Sequence, residues 1–337
     1  MTRLLYRFGW EVLLVVLILV AGTVASLLSP YYLSVGQIGY SLQQSVAVVG
    51  TVAAGLVPVI LVGEIDISQA AILALGNILF AQCSSMGLPL AVAIPGTLLL
   101  CAGLGALNGI LVTAFALPSL AVTLGTMEAY RAFALLIGGH GEYASFGAAY
   151  LWLGSAMIGK VLPASLVLVV VIFAALTFTM HRTLFGRLVY ATGSGVKATA
   201  MSGVRVNRVK IITFAIAGVM AGLGSLVYIG QYESARADNA SDILLLVVTV
   251  VVLGGIDIFG GRGNVPGVLL ALVLIGTARN GMGLANTPGP VQTLVIGTVL
   301  VVSVLLPQLL RLGRAFARQR RFVQPLQPII SESGRTR

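Results

Sequence analysis

Ten stretches of nearly unbroken hydrophobic residues run along the chain, at about 12–29, 45–63, 67–84, 90–116, 118–139, 161–180, 209–230, 241–260, 265–285 and 290–310. Each is close to the roughly 20 residues a helix needs to cross ~30 Å of hydrocarbon. The pattern predicts an all-α, polytopic integral membrane protein of about ten transmembrane helices. Helical periodicity within the stretches adds nothing, because lipid-facing and protein-facing sides are both apolar.

The polar interruptions set the orientation. Between the sixth and seventh stretches lies HRTLFGRLVYATGSGVKATAMSGVRVNRVK, residues 181–210, with Arg182, Arg187, Lys197, Arg205, Arg208 and Lys210 and no acidic residue. Arg3 and Arg7 precede the first stretch; Arg311, Arg314, Arg318, Arg320 and Arg321 follow the last. Basic loops mark the cytoplasmic side. Six crossings from a cytoplasmic N-terminus return the chain at residue 181, and four more return the tail. The expected layout is one transmembrane domain over 1–310, a basic cytoplasmic tail over 311–337, and both termini cytoplasmic. The segment 140–160 falls outside, where Tyr143, Tyr150 and Trp152 suit a membrane interface.

Composition agrees. The 337 residues are 58% hydrophobic and 9% charged, against about 25% charged in soluble domains, and the mean hydropathy is +1.03. A soluble helical protein is excluded. The net charge of +10 does not indicate nucleic acid, because the bases cluster at the two ends and the central loop; the C-terminal cluster can also touch anionic lipid. Cys83 and Cys101 lack metal or disulfide spacing and His140 and His181 stand alone, so no metal site is expected. The first stretch is too long for a signal peptide and reads as a retained span. Gly159-Lys160-Val161 lacks the spacing and hydroxyl of a nucleotide-binding loop, and no HExxH or GxSxG occurs. The chain is expected to be neither an enzyme nor a cofactor carrier.

A weak two-fold repeat runs through the stretches. Asn108-Gly109, Pro118 and Gly125-Thr126 reappear as Asn280-Gly281, Pro290 and Gly297-Thr298, each 172 residues later. LVGEIDIS (61–68) also echoes LGGIDIFG (253–260), at an offset of about 191, which implies an insertion of about 19 residues in the first half. Paired halves with Gly/Pro-interrupted helices are typical of transporters, and the interruptions point to the substrate path. Asn108 and Asn280 are therefore path candidates, and the pattern leaves inverted and parallel repeats open.

Few ionisable residues fall within the apolar stretches: Glu64, Asp66, Glu128, Arg131, Asp257 and Arg279. Such groups cost a few kcal/mol at the bilayer centre and normally face protein or water. Glu128 and Arg131, three residues apart, can pair on one helix face, either along a path or only neutralising each other. Asp66, like Ser68, can cap the helix that follows, or accept bonds from a hydroxylated substrate. Asp257 invites the same two readings. In the central loop, glycines punctuate short segments, and a small helix is expected from about Val196 to Met201. It would present Ala198 and Ala200 as a low-bulk knob able to enter a groove on another protein.

The stretch GRLVYATGSGVKATAMSG, 186–203, resembles the cytoplasmic loop of permease subunits of ribose-type ABC importers, the branched-chain amino acid/ribose permease family. Gly186, Arg187, Tyr190, Ala191, Gly193, Ala198, Thr199, Ser202 and Gly203 carry the likeness; Gly195 stands where the family usually has Asn. GEIDIS resembles the family's GGIDLS, with Glu64 as the departure. LPSLAVTLGTMEAYRAFALLIGG (117–139) and VVLGGIDIFGGRGNVPGVLLALVLIG (251–276) resemble two further segments, with Glu128, Ala132 and Asp257 as departures. The resemblance covers about 35–310.

It implies a coupling helix in the loop that fits a cleft of separate ABC ATPase subunits. It also implies a second permease subunit, identical or related, a periplasmic sugar-binding protein, and location in the bacterial inner membrane. The solute would be a monosaccharide or sugar-like compound of the ribose, rhamnose or autoinducer-2 class. Glu64, Asp66, Ser68, Asn108, Glu128, Arg131, Asp257 and Asn280 are the translocation-path candidates. Two other readings stay open: a stand-alone proton-coupled transporter using Glu64, Asp66 or Glu128, and a membrane scaffold or channel without coupled transport.

Overall fold

The computed structural model describes residues 2–29, 32, 35–159, 162–303 and 305. The proposed tail lies outside them. The helices are α1 (Thr2–Leu28), α2 (Val35–Leu61), α3 (Gln69–Ser85), α4 (Leu90–Ala114), α5 (Ser119–Gly138), α6 (Ala148–Ser155), α7 (Ala164–Arg182), α8 (Leu184–Ser194), α9 (Val196–Met201), α10 (Val206–Tyr232), α11 (Ile243–Leu253) and α12 (Val265–Leu284). A last helix, α13, spans Gly289–Ser303. A small antiparallel pair, β1 (Met157–Ile158) and β2 (Leu162–Pro163), lies between α6 and α7.

Ten helices fall on the ten apolar stretches: α1–α5, α7 and α10–α13. The chain is an all-α polytopic membrane protein. Seven of the described helices are long and apolar enough to cross a membrane; α3, α11 and α13 are shorter. The stretch 241–260 yields only the 11 residues of α11, because Gly254-Gly255 stops it. Gly255 takes φ +91, a backbone that side chains disfavour.

The centre of the bundle is α2, whose spanning window is 89% buried, against 11% for α1. Its main partner is α10. A Cβ on Gly55 would meet Met220 at 2.7 Å and one on Gly224 would meet Val52 at 2.9 Å, while Gln231 bonds Gln44 at 2.8 Å. Numbers fall along α2 as they rise along α10, so the two helices are antiparallel. Against α4, α10 packs closer still: a Cβ on Gly105 would strike the Phe214 carbonyl, and one on Gly218 the Cys101 carbonyl. Without a hydrophobic force between helices in lipid, such small-residue contacts hold them together.

The antiparallel crossing settles the repeat. Shifting the bounds of α2, α3, α4 and α5 by 172 gives 207–233, 241–257, 262–286 and 291–310, against 206–232, 243–253, 265–284 and 289–303 for α10 to α13. Packing follows the same rule, with α10 on α3 and α4, and α2 on α11 and α12. Val52 and Gly224 are equivalent positions and touch, so they lie on the pseudo-two-fold axis. Because equivalent helices run in opposite directions, the repeat is inverted.

The expected 19-residue insertion is absent, since one offset runs from α2 to α13. LVGEIDIS and LGGIDIFG are not repeat partners. Inversion places equivalents at opposite ends of the bundle, yet these segments share one end and touch. A Cβ on Gly260 would lie 2.7 Å from Gly63 Cα. The end carrying α8 and α9 is termed the loop end, and the other the far end.

Candidate functional site

At the loop end, α8 and α9 form a knob on a rigid seat. The Thr183 hydroxyl caps α8 by accepting from the Gly186 amide at 3.3 Å. Three contacts fix α8 to the bundle. Gly193 has no room for a Cβ, which would strike the Leu61 carbonyl and the Gly261 amide; those two groups bond each other at 2.8 Å. The Tyr190 hydroxyl donates to the Gly263 carbonyl at 3.0 Å, and the Ser194 hydroxyl approaches the Gly261 carbonyl at 3.3 Å. The helix α9 covers Val196–Met201 as expected. Buried Thr199 anchors it through a 2.8 Å bond to the Ala191 carbonyl, while Lys197, Ala198, Ala200 and Met201 face outward. Ser202 and Gly203 close α9, the latter at φ +80. Arg187 is exposed and Gly186 buried against α7. The proposed loop residues therefore divide into an anchored layer and an exposed face.

Beside the seat lies segment 62–68. Glu64 pairs with Lys210 of α10, and both side chains are largely buried. Asp66 is fully buried. Its Oδ1 accepts from the Ser68 amide at 2.9 Å and the Ser68 hydroxyl at 2.6 Å, and its Oδ2 accepts from the Gln69 amide group. The carboxylate thus organises the turn just before α3, at the helix end where the dipole favours a negative charge. The chain of bonds continues outward. Asn108 Nδ2 donates to Ser68 Oγ at 2.8 Å, and Tyr130 donates to Asn108 Oδ1 at 2.9 Å. Three candidates, Asp66, Ser68 and Asn108, thereby join in one directed network across α3, α4 and α5. Two side chains of α5 close the segment: Ser119 Oγ accepts from the Ile65 amide at 3.1 Å, and Thr123 approaches the Ile67 amide and Ile65 carbonyl at 3.4 Å.

The remaining candidates lie elsewhere. Glu128 is exposed on α5, and no ion pair joins it to Arg131 among the described residues. Arg131 instead donates to Ser241 at 2.6 Å, because its side chain points to the far end. Asp257 Oδ1 accepts from the Phe259 amide at 3.2 Å within the 254–264 turn. Asn280 is half-buried on α12. Tyr150 is buried against Phe80, with ring centroids 4.7 Å apart, and its hydroxyl donates to the Leu88 carbonyl at 2.6 Å. Trp152 is exposed.

The far end holds what sequence reasoning missed, a cavity of about 840 Å³ between segment 233–242, α12 and α13. On its wall Arg236 grips Asp238 through two bonds of 2.9 and 3.0 Å, which hold the Asp238 carboxyl below the usual aspartate range. Lys210, Ser119 and Thr123 were also missed as site residues. In sequence Lys210 is one more base of the loop, and the two hydroxyl residues resemble ordinary helix positions.

Comparisons with known proteins agree with this architecture. The profile described as "Branched-chain amino acid transport system / permease component" matches residues 40–304. The chain is 31% identical over 306 residues to the autoinducer 2 import system permease protein LsrD of Photorhabdus laumondii, covering 89% of this chain and 91% of the relative. It is 33% identical over 287 residues to the ribose import permease protein RbsC of Bacillus subtilis, covering 84% and 88%. Another LsrD, from Yersinia enterocolitica, is 30% identical, covering 89% and 92%. No solved structure shows a match. With ten apolar helices, an anchored loop helix and a family match over most of its length, the chain belongs to the branched-chain amino acid transport system / permease component family.

Proposed function

We propose that the chain is the transmembrane permease subunit of an ABC importer that brings a monosaccharide or sugar-like solute of the ribose, rhamnose or autoinducer-2 class into the cytoplasm. The loop end is cytoplasmic, as its bases require, and both termini lie on that side. Separate ATPase subunits dock on α9, a second permease subunit completes the pathway, and a periplasmic binding protein delivers solute to the far end.

The observation that carries this reading is the division of α9 into an anchored and an exposed face. A knob on a flexible loop would absorb a push. This one is tied through Thr199, Gly193 and Tyr190 to the end of α2 and to segment 254–264, so displacement of α9 is transmitted to the central helix. The relatives' names, import permeases for ribose and for autoinducer 2, support the solute class. The candidates around segment 62–68 then form the cytoplasmic closure of the path, and Glu128 faces the partner permease or the path itself.

A proton-coupled mechanism fits less well. Glu64 is held by Lys210, Asp66 is enclosed by three donors, and Glu128 stands apart from both. The test is Ala198→Glu in the complete importer, which puts charge and bulk on the exposed face of α9. ATP-driven uptake should be lost while membrane insertion stays normal. Normal uptake would overturn the docking role, and uptake by the permease alone without an ATPase would overturn the function.

A further inference from the structure

The inverted repeat supplies two related wedges, one at each end. At the loop end, segment 62–68 is closed by α5 through Ser119 and Thr123. Their equivalents on α13, 172 residues on, are Val291 and Val295. Neither side chain can accept or donate a hydrogen bond, so α13 repeats neither of these two bonds to segment 233–242, and between them lies the 840 Å³ cavity. That volume falls within the range of about 300–1,000 Å³ usual for small-ligand sites.

The walls specify the ligand's chemistry. Two cations, Arg236 and Arg279, and two anions, Asp238 and Asp242, line the cavity, so the formal charge balances and a neutral solute suits it best. Tyr228 and Tyr232, with ring centroids 4.5 Å apart, add an aromatic surface of the kind that packs on the C–H face of a polyol. Arg279 is the telling residue. It is half-buried near the end of an apolar helix, and no hydrogen bond or ion pair to its side chain occurs among the described residues. Its repeat equivalent is Leu107, so the fold itself does not require a guanidinium there. A charge kept at such depth is normally turned to water or ligand, and this one lines the cavity.

We infer that the far-end cavity is a low-affinity loading site for a neutral polyhydroxylated solute, with Arg279 as its main donor. This deepens the importer reading and rests on it.

The test uses the full chain in lipid nanodiscs, with D-ribose and xylitol as probes, read by saturation-transfer NMR. The unmodified permease should give a signal. Arg279→Leu, which installs the residue of the equivalent position, should weaken binding about tenfold. Thr293→Trp, which fills the cavity from the exposed side of α13, should abolish it even if Arg279→Leu fails to fold. Leu99→Ala, on the exposed surface of α4, should bind as the unmodified chain does. No signal from the unmodified permease, or a full signal in either folded cavity variant, overturns the site. Loss of all ATP-driven uptake in the complete importer would instead sink the importer reading, so the two failures are distinguishable.

Discussion

The two ends of this bundle are built from equivalent helices and behave differently. At the loop end, segment 62–68 is held by a buried carboxylate, an ion pair and two hydroxyls of α5. At the far end, segment 233–242 keeps an aspartate at the equivalent place, Asp238 for Asp66, but that aspartate is solvent-exposed and its carboxylate is held by the exposed Arg236 two residues before it. One fold thus yields an end latched by α5 through Ser119 and Thr123 and an end where the equivalent positions of α13 are valines. Segment 233–242 is tied instead to α5 and the loop after it, through Arg131–Ser241, Ser234–Glu142 and a backbone bridge of Ala235 to Tyr143. Bonds made by buried groups are costly to leave unmade, whereas exposed pairs contribute little.

The largest effect expected from breaking this contrast is at the seat of the knob. Gly193→Val forces a branched side chain into the Leu61 carbonyl and the Gly261 amide. It should destabilise the loop end by about 3 kcal/mol, and both ATPase co-purification and uptake should fall away. Next, Asp66→Ala leaves the Ser68 and Gln69 donors without an acceptor and should cost about 2–3 kcal/mol, seen as a lowered melting midpoint of the solubilised permease. Asp238→Ala should leave the midpoint where it is. Equal shifts in the two variants would erase the distinction between the ends.

Lys210→Met strands the Glu64 carboxylate and should cost about 1–3 kcal/mol, and adding Glu64→Gln should recover much of it. The pair Ser119→Val and Thr123→Val copies the far-end residues into α5. It should weaken the loop-end latch by about 1 kcal/mol per residue and raise ATP hydrolysis in the absence of solute. Smallest is the response to pH at the far end. Asp238 has a depressed pKa, so its pairing is present above the ordinary aspartate value of 3.8 and fades only as pH falls through the lowered one. Solute binding should therefore be flat from neutral pH down to about 5 on this account. A step in that window would implicate another group.

Much of the fold was legible beforehand. The ten stretches became ten helices, and Val196–Met201 emerged as the small helix of the loop, because glycine spacing and small residues specify it locally. The site was legible in part. Asp66 stands out in sequence as an ionisable residue in an apolar stretch, Ser68 as a helix cap and Asn108 through the repeat, but their bonds to one another, and the extension of the network to Tyr130 of α5, depend on how α3, α4 and α5 pack. The Glu128–Arg131 spacing misled, since three residues along a helix permit a pair without favouring it over a serine on a neighbouring loop. The echo of LVGEIDIS in LGGIDIFG misled in another way: similar turns recur wherever a helix must end against close backbone.

Hydrophobicity and charge placement alone determined that this chain lives in a bilayer, where its ten apolar helices fall and where its basic loop lies. These follow from transfer free energies that each segment carries by itself. Only the tertiary structure decided that the repeat is inverted, that α9 is anchored to the central helix, and that one end is latched while the other holds a cavity. Those outcomes depend on which side chains from distant segments meet. That meeting is governed by helix direction and close packing, which no single segment encodes.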